Sequence, residues 1–132
     1  MATTNPRRAL LDTVAFVWAA SAPERLSMKA RAVIEDGEVI RELSALSISE
    51  IALKHATGKL PFDAQAVGDA IKDLRLRILA FTEADAMRLF DLPLHHRDPF
   101  DRQIIAQSLA NDIPVISCDE HFKSYRQLRV IW

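Results

Sequence analysis

Short apolar runs alternate with stretches of helical spacing along this chain. The first run, Arg8 to Asp12, is apolar at Ala9-Leu10-Leu11 and stops at an acid, which predicts a short strand. Thr13 to Ala20 then sets Val14, Val17 and Trp18 at i, i+3 and i+4, the spacing of a helix that Pro23 ends. A second helix is expected from Ser27 to Glu35, stopping before Gly37. Glu42 to Ser47 alternates as a strand, and Ile48 to Thr57 follows as a helix closed by Gly58. After the loop Gly58 to Pro61, Ala64 to Leu74 is helical through Val67, Ile71 and Leu74, and Leu76 to Ala80 reads as a strand. Thr82 caps a helix from Glu83 to Leu92, with Asp85 at the capping-box position. Pro93 to Arg97 is a loop, Pro99 to Ala110 a helix, and Pro114 to Ser117 a strand. Arg129 to Trp132 is a last strand. Strands alternating with helices predict an α/β fold around a parallel sheet. The stripes carrying Val14, Trp18, Ile71 and Leu89 are expected in its core.

Composition narrows the class. The chain has 132 residues, of which 49% are hydrophobic. That matches a single globular domain over residues 1-132, since domains cluster at ~100–150 residues. With 17 Lys+Arg against 18 Asp+Glu the formal net charge is -1. A broad basic surface for nucleic acid is therefore not expected, and any such contact has to be local. No apolar run approaches the ~20 residues of a membrane span. Asp12 interrupts the longest, Leu10 to Ala20, and so also argues against a signal peptide behind the basic Met1 to Arg8. Cys118 is the only cysteine, which leaves no intrachain disulfide and fits a cytoplasmic protein. Three glycines, Gly37, Gly58 and Gly68, are too scattered for a Gly-rich phosphate loop.

The candidate chemistry lies in the acids. Asp12 and Asp119 each follow a short apolar strand. In parallel sheets, ligands bind beyond the carboxyl ends of the strands. Carboxylates gathered there repel one another unless a cation neutralises them, and hard divalent ions prefer such oxygen ligands. Asp98 reads as an N-cap with Pro99 at N1. On a helical wheel Asp101 falls between Ile104 and Ile105, on the apolar side, where a carboxylate needs a partner. Its position serves helix initiation as well as a site, and the local residues leave both open. Glu50 is equally explained by a capping box with Ser47 and an i,i+4 pair with Lys54. His95 and His96 are adjacent on a loop and lack the spacing of zinc ligands. Cys118 has mainly an acid beside it, which raises a thiol pKa and disfavours a nucleophile.

These residues resemble a known family. Leu10-Leu11-Asp12-Thr13, Ser47-Ile48-Ser49-Glu50-Ile51-Ala52, and the run from His96 through Asp98-Pro99-Phe100-Asp101-Arg102 to Gln107 are similar to PIN-domain proteins. The similarity continues through Ile113 to Asp119, and on to Phe122 and Tyr125. It points to the VapC-like toxin branch of toxin–antitoxin systems. The resemblance implies a three-layer sandwich, with a central parallel sheet flanked by helices. It also implies Mg²⁺- or Mn²⁺-dependent cleavage of RNA by a cluster of four acids. Carried over by position, these are Asp12, Glu50, Asp101 and Asp119, with Asp12, Asp101 and Asp119 as metal ligands. Asp98, Thr13 and Ser117 would support them as caps or outer-shell groups; Ser117 stands where the family often has Thr. Lys54, Arg97 and Arg102 are candidate RNA phosphate contacts, though each is also explained as a solvated charge.

The implied reaction is in-line attack of an activated water, leaving a 3′-hydroxyl and a 5′-phosphate. The implied partners are RNA, a cognate antitoxin and a second copy of the chain in a homodimer. Two other readings use the same acids. A receiver-like phosphoacceptor would want a Lys after the last core strand, where this chain has Ser117-Cys118-Asp119. A catalytically silent PIN scaffold would not need all four acids.

Overall fold

The computed structural model describes residues 4–132, so the basic opening of the chain lies partly outside the described residues. The strands are β1 (Arg8–Leu11), β2 (Ile40–Ser44), β3 (Arg77–Leu79), β4 (Val115–Ile116) and β5 (Val130–Ile131). They form one sheet in the order β3-β2-β1-β4-β5, with every neighbouring pair parallel. The helices are α1 (Thr13–Ser21), α2 (Met28–Glu35), α3 (Ala45–Ala56), α4 (Ala64–Asp73), α5 (Glu83–Met87) and α6 (Pro99–Asn111).

Alternation along β1 explains the layers. Ala9 and Leu11 face one core, shared with Phe16 of α1, Val33 of α2, Ile51 of α3 and Val67 of α4. Leu10 faces a second core with Ile104 and Ile105 of α6, Phe122, Tyr125 and Leu128. A strand covered on both faces reads as an unbroken apolar run, and β1 does. The result is the expected sandwich, helices on both faces of a parallel sheet. Each large side chain fully buried there, such as Phe16 or Ile104, contributes about 1.5–3 kcal/mol.

Five expectations need correction. The second strand occupies Ile40–Ser44 rather than Glu42 to Ser47, and α3 starts at Ala45 rather than Ile48. Ser44 is its N-cap, accepting from the Leu46 amide at 3.1 Å. Ser47 and Glu50 therefore form no capping box; they lie one turn apart on the buried side of α3. Pairing with β1 draws Ile40 into the strand, and the Ser44 cap ends it earlier than alternation alone suggests.

In α1 the buried positions are Thr13, Ala15 and Phe16, while Val14 is exposed. That helix is apolar almost all round, so periodicity could not orient it. The helix expected over Glu83 to Leu92 ends at Met87 and tightens into a 3-10 turn at Arg88–Asp91. Its N-terminal capping box, Thr82 with Asp85, is present as read.

Candidate active site

Chain connections run from β1 to β2 and β3 on one side, and to β4 and β5 on the other. The strand order thus reverses between β1 and β4, which leaves a crevice beyond their carboxyl ends. Asp12 follows β1 directly, and its amide bonds the Ile116 carbonyl at 3.0 Å. Asp119 follows β4 by way of Ser117 and Cys118. Both acids are also caps. Asp12 Oδ1 accepts from the Ala15 amide at 2.8 Å, and Asp119 Oδ1 from the His121 amide at 2.9 Å. Capping fixes each carboxylate beyond the carboxyl end of its strand, so the local structure positions the site.

Helices from opposite layers supply the other acids. Glu50, on the inner face of α3, is only 5% exposed. Its Oε2 takes the Lys54 Nζ at 2.6 Å, while Oε1 is buried without a hydrogen-bond partner among the described residues. Asp98 caps α6, accepting from the Phe100 amide at 2.9 Å and the Asp101 amide at 3.0 Å. Asp101 then projects from the first turn of α6 into the same crevice.

The electrostatics report the crowding. Burial pushes the Asp12 carboxyl up to about 6, the Ser117 hydroxyl and Ala15 amide oppose that rise, and the Asp119 and Glu50 charges add to it. Burial and the neighbouring Asp98 and Asp12 charges push Asp101 up to about 7. Burial also works to raise Asp119, but the His121 amide and the His96 and His121 rings hold it below its ordinary value. Asp12, Glu50, Asp101 and Asp119 thus lie within electrostatic reach of one another at one end of the sheet. Their donor set is carboxylate oxygen, which suits Mg²⁺ or Mn²⁺. The orphaned Glu50 Oε1 fits such an ion, because a buried oxygen without a partner is costly.

His96 is the residue the sequence did not offer for this cluster. Its Nε2 stands 2.7 Å from Asp119 Oδ2 and 3.1 Å from Asp101 Oδ2. The Asp98 amide donates to Nδ1 at 3.1 Å, which uses that lone pair and puts the neutral ring's proton on Nε2. His121 joins from the other side, with Nδ1 at 3.0 Å from Asp119 Oδ1. One ligand atom each of His96, Asp119 and His121 lie within 4.8 Å of one another. His95 turns away and meets the Tyr125 ring edge-on at 5.0 Å. The Tyr125 hydroxyl accepts from both His95 and His96 amides, at 3.2 and 3.0 Å, and so holds the loop that aims His96. Nothing local in the sequence signals a contact between residues 29 positions apart.

The other predicted residues take definite places. The Thr13 side chain makes no hydrogen bond to the acids among the described residues; its hydroxyl donates to Ser47 Oγ at 2.9 Å and joins α1 to α3 in the interior. Ser117 Oγ accepts from the Asp119 amide at 3.1 Å. Lys54 is bound to Glu50, and its pKa is raised by that bond and by the Asp98 and Asp101 charges. The Arg102 guanidinium, expected as a phosphate contact, donates instead to the carbonyls of Leu92, Pro93 and His96 at 3.4, 3.1 and 3.3 Å. Those bonds occupy it in bracing the loop. Arg97 is exposed and makes no ion pair among the described residues. Cys118 is half-buried, and burial together with Asp12 and Asp119 pushes its thiol up, which disfavours a thiolate.

Comparison with known proteins agrees with this architecture. No curated protein sequence matches the chain. Among solved structures, the DNA-bound VapBC of Salmonella typhimurium superposes with a TM-score of 0.71 at 13% identity, covering 95% of this chain and 97% of that one. VapBC2 of Rickettsia felis, bound to a promoter DNA fragment, gives 0.69 at 13% identity, with 93% and 96% covered. VapBC-5 of Mycobacterium tuberculosis, from a family of toxin-antitoxin systems, gives 0.59 at 16% identity, with 96% and 98% covered. At these identities the likeness is one of fold. The PIN domain family profile matches residues 9–128, a span that contains all four acids. The chain belongs to the PIN domain family.

Proposed function

We propose that this chain is a metal-dependent endoribonuclease acting as the toxin of a toxin–antitoxin pair. The observation that carries the proposal is the meeting of Asp12, Glu50, Asp101 and Asp119, with one buried Glu50 oxygen unpartnered. Asp12, Asp101 and Asp119 would hold Mg²⁺ or Mn²⁺, with Glu50 as a further ligand or a group orienting water. A bound ion would supply Lewis acidity toward the scissile phosphate and a water of lowered pKa.

The chain's own residues do the rest. The caps at Asp12 and Asp98 fix the carboxylates before substrate arrives, so little reorganisation is needed. Lys54 tethers Glu50 and offsets part of the negative charge that would repel RNA. His96 holds Asp101 and Asp119 to a common point.

The toxin role is supported by the solved structures of like fold, which include VapBC toxin-antitoxin proteins. On this reading the chain has a cognate antitoxin, works as a homodimer or in a toxin–antitoxin hetero-oligomer, and acts in the cytoplasm. No helix among the described residues is long and apolar enough to cross a membrane.

The test uses the purified chain, RNA and Mg²⁺ or Mn²⁺. Asp12→Asn keeps the helix cap, since Asn caps nearly as well as Asp. Asp12→Asn and Asp101→Asn should each abolish cutting, and growth arrest on expression should vanish with Asp12→Ala. Variants that cut as well as the parent would refute the mechanism.

A further inference from the structure

A hollow of about 640 Å³ is lined by none of the four acids and meets the loop that carries His96 only through His95 and Tyr125. Leu92, Pro93 and Leu109 give it an apolar floor, and Arg88, His95 and Arg126 stand on its walls. A smaller hollow of about 190 Å³ shares Arg88 and Gln127 with it and leads on to Arg129. Joined at Arg88, Leu109 and Gln127, the two make a trough beside the 3-10 turn at Arg88–Asp91.

Three features define what fits. The first is charge. Arg126 makes no ion pair or side-chain hydrogen bond among the described residues, and Arg88 reaches only Gln127 Oε1, at 3.4 Å. Asp91 is the one acid on the larger hollow's wall, so the guanidinium groups there outnumber it. Arg129 at the far end is paired with the exposed Asp112 at 3.1 Å.

The second feature is a flat ring. His95 is exposed, and its edge-on contact with Tyr125 holds the imidazole in place. The third is continuity with the acid cluster. Tyr125 Oη binds the amides of both His95 and His96, and the His96 ring rests on Asp101 and Asp119. His95 is thus the trough residue next in the chain to the cluster's His96.

We infer that the trough holds the single-stranded RNA nucleotides adjoining the scissile phosphate. Arg88 and Arg126 meet phosphates, and the His95 ring stacks on a base. Guanidinium groups beside a fixed ring make a surface for an unpaired polynucleotide, which offers anionic oxygens and an open base face. The local basic track also resolves a difficulty, since a chain of net charge -1 with a cluster of acids needs positive charge close to where RNA enters. This assignment rests on the RNA-cleavage reading above and names the part of the substrate that reading leaves unplaced.

The test measures binding apart from cutting. Fluorescence anisotropy with a labelled single-stranded RNA is run in Mg²⁺ on the full chain carrying Asp101→Asn. Adding Arg88→Gln with Arg126→Gln should weaken binding roughly tenfold and lower the salt slope by about 1–2. His95→Ala should weaken it roughly fivefold and leave the slope unchanged. The pair Lys29→Gln and Lys72→Gln removes equal charge from α2 and α4, in the opposite layer, and should change nothing.

Equal binding by the Arg88/Arg126 variant and its parent overturns the inference, as does an equal loss in the control pair. Self-association that falls with the two arginines while RNA binding holds would assign the trough to a second copy, and also overturns it. Arginine-dependent RNA binding by a chain that cuts no RNA would support the trough and refute the cleavage reading. RNA cutting with a KM unaltered by the arginine pair would do the reverse.

Discussion

The proton-bearing Nε2 of His96 lies 2.7 Å from Asp119 Oδ2 and ties the loop before α6 to the end of β4. The same nitrogen stands 3.1 Å from Asp101 Oδ2, so the ring N–H sits between two carboxylates that would otherwise face each other bare. In the metal-free protein this is an internal substitute for positive charge.

Removing that donor should be costly without metal. His96→Ala is expected to lower the unfolding free energy in EDTA by about 1.5–3 kcal/mol, the range for a hydrogen bond to a charged group. His96→Gln, which keeps an N–H near the carboxylates, should recover part of it. Urea denaturation of both variants decides this, and equal loss in the two would show that packing against Phe122, not the donor, matters.

The raised acids set a pH dependence. Asp12 titrates at about 6 and Asp101 at about 7 in the folded chain, against 3.8 in the unfolded one. Between pH 4 and 7 the native state therefore holds more protons than the unfolded state, and stability falls as pH rises. Asp119, held low, contributes with the opposite sign, but only below its ordinary value. In EDTA the melting temperature should be higher near pH 5 than near pH 8, and Mg²⁺ should recover most of the loss at the higher pH. A metal-free melting temperature that rises across this range would contradict the assignment.

The buried hydroxyl pair is a second test. Thr13→Val leaves Ser47 Oγ without its donor, and should cost about 1–3 kcal/mol. Adding Ser47→Ala removes the stranded group as well, so the double variant should lose less than the sum of the singles. Chemical denaturation of the four proteins gives the coupling directly.

Arg102 should act through the loop rather than through RNA. Arg102→Gln breaks its bonds to the Leu92, Pro93 and His96 carbonyls. Amide hydrogen exchange should then accelerate at His95 and His96, while the salt dependence of RNA binding stays that of the parent. A reduced salt slope would instead place Arg102 on a phosphate.

Much of the site was legible locally, and each miss has a cause. Asp12 and Asp119 stood out because an acid closes an apolar run, and the Asp98 cap because Pro99 follows it. Glu50 was found only through family resemblance. Its own neighbours suggested a capping box at Ser47, which vanished once β1 pairing and the Ser44 cap moved the start of α3 to Ala45. The buried face of α1 differs from the one its spacing suggests because nearly every position there is apolar, so only the packing of Phe16 selects a side. Arg88 and Arg126, 38 positions apart, carried no shared local signal at all.

What the sequence determined by itself is the order of elements, the caps and the presence of acids at strand ends. These depend on residues within a few positions of one another, where propensity and hydrogen bonding act directly. Only the tertiary structure decided which charges meet. The reversal of sheet order between β1 and β4 brings Asp12 to Asp119, and α3 and α6 bring in Glu50 and Asp101 from opposite layers. The balance of 17 basic and 18 acidic groups does not describe that arrangement, because Coulomb energy depends on distance in space.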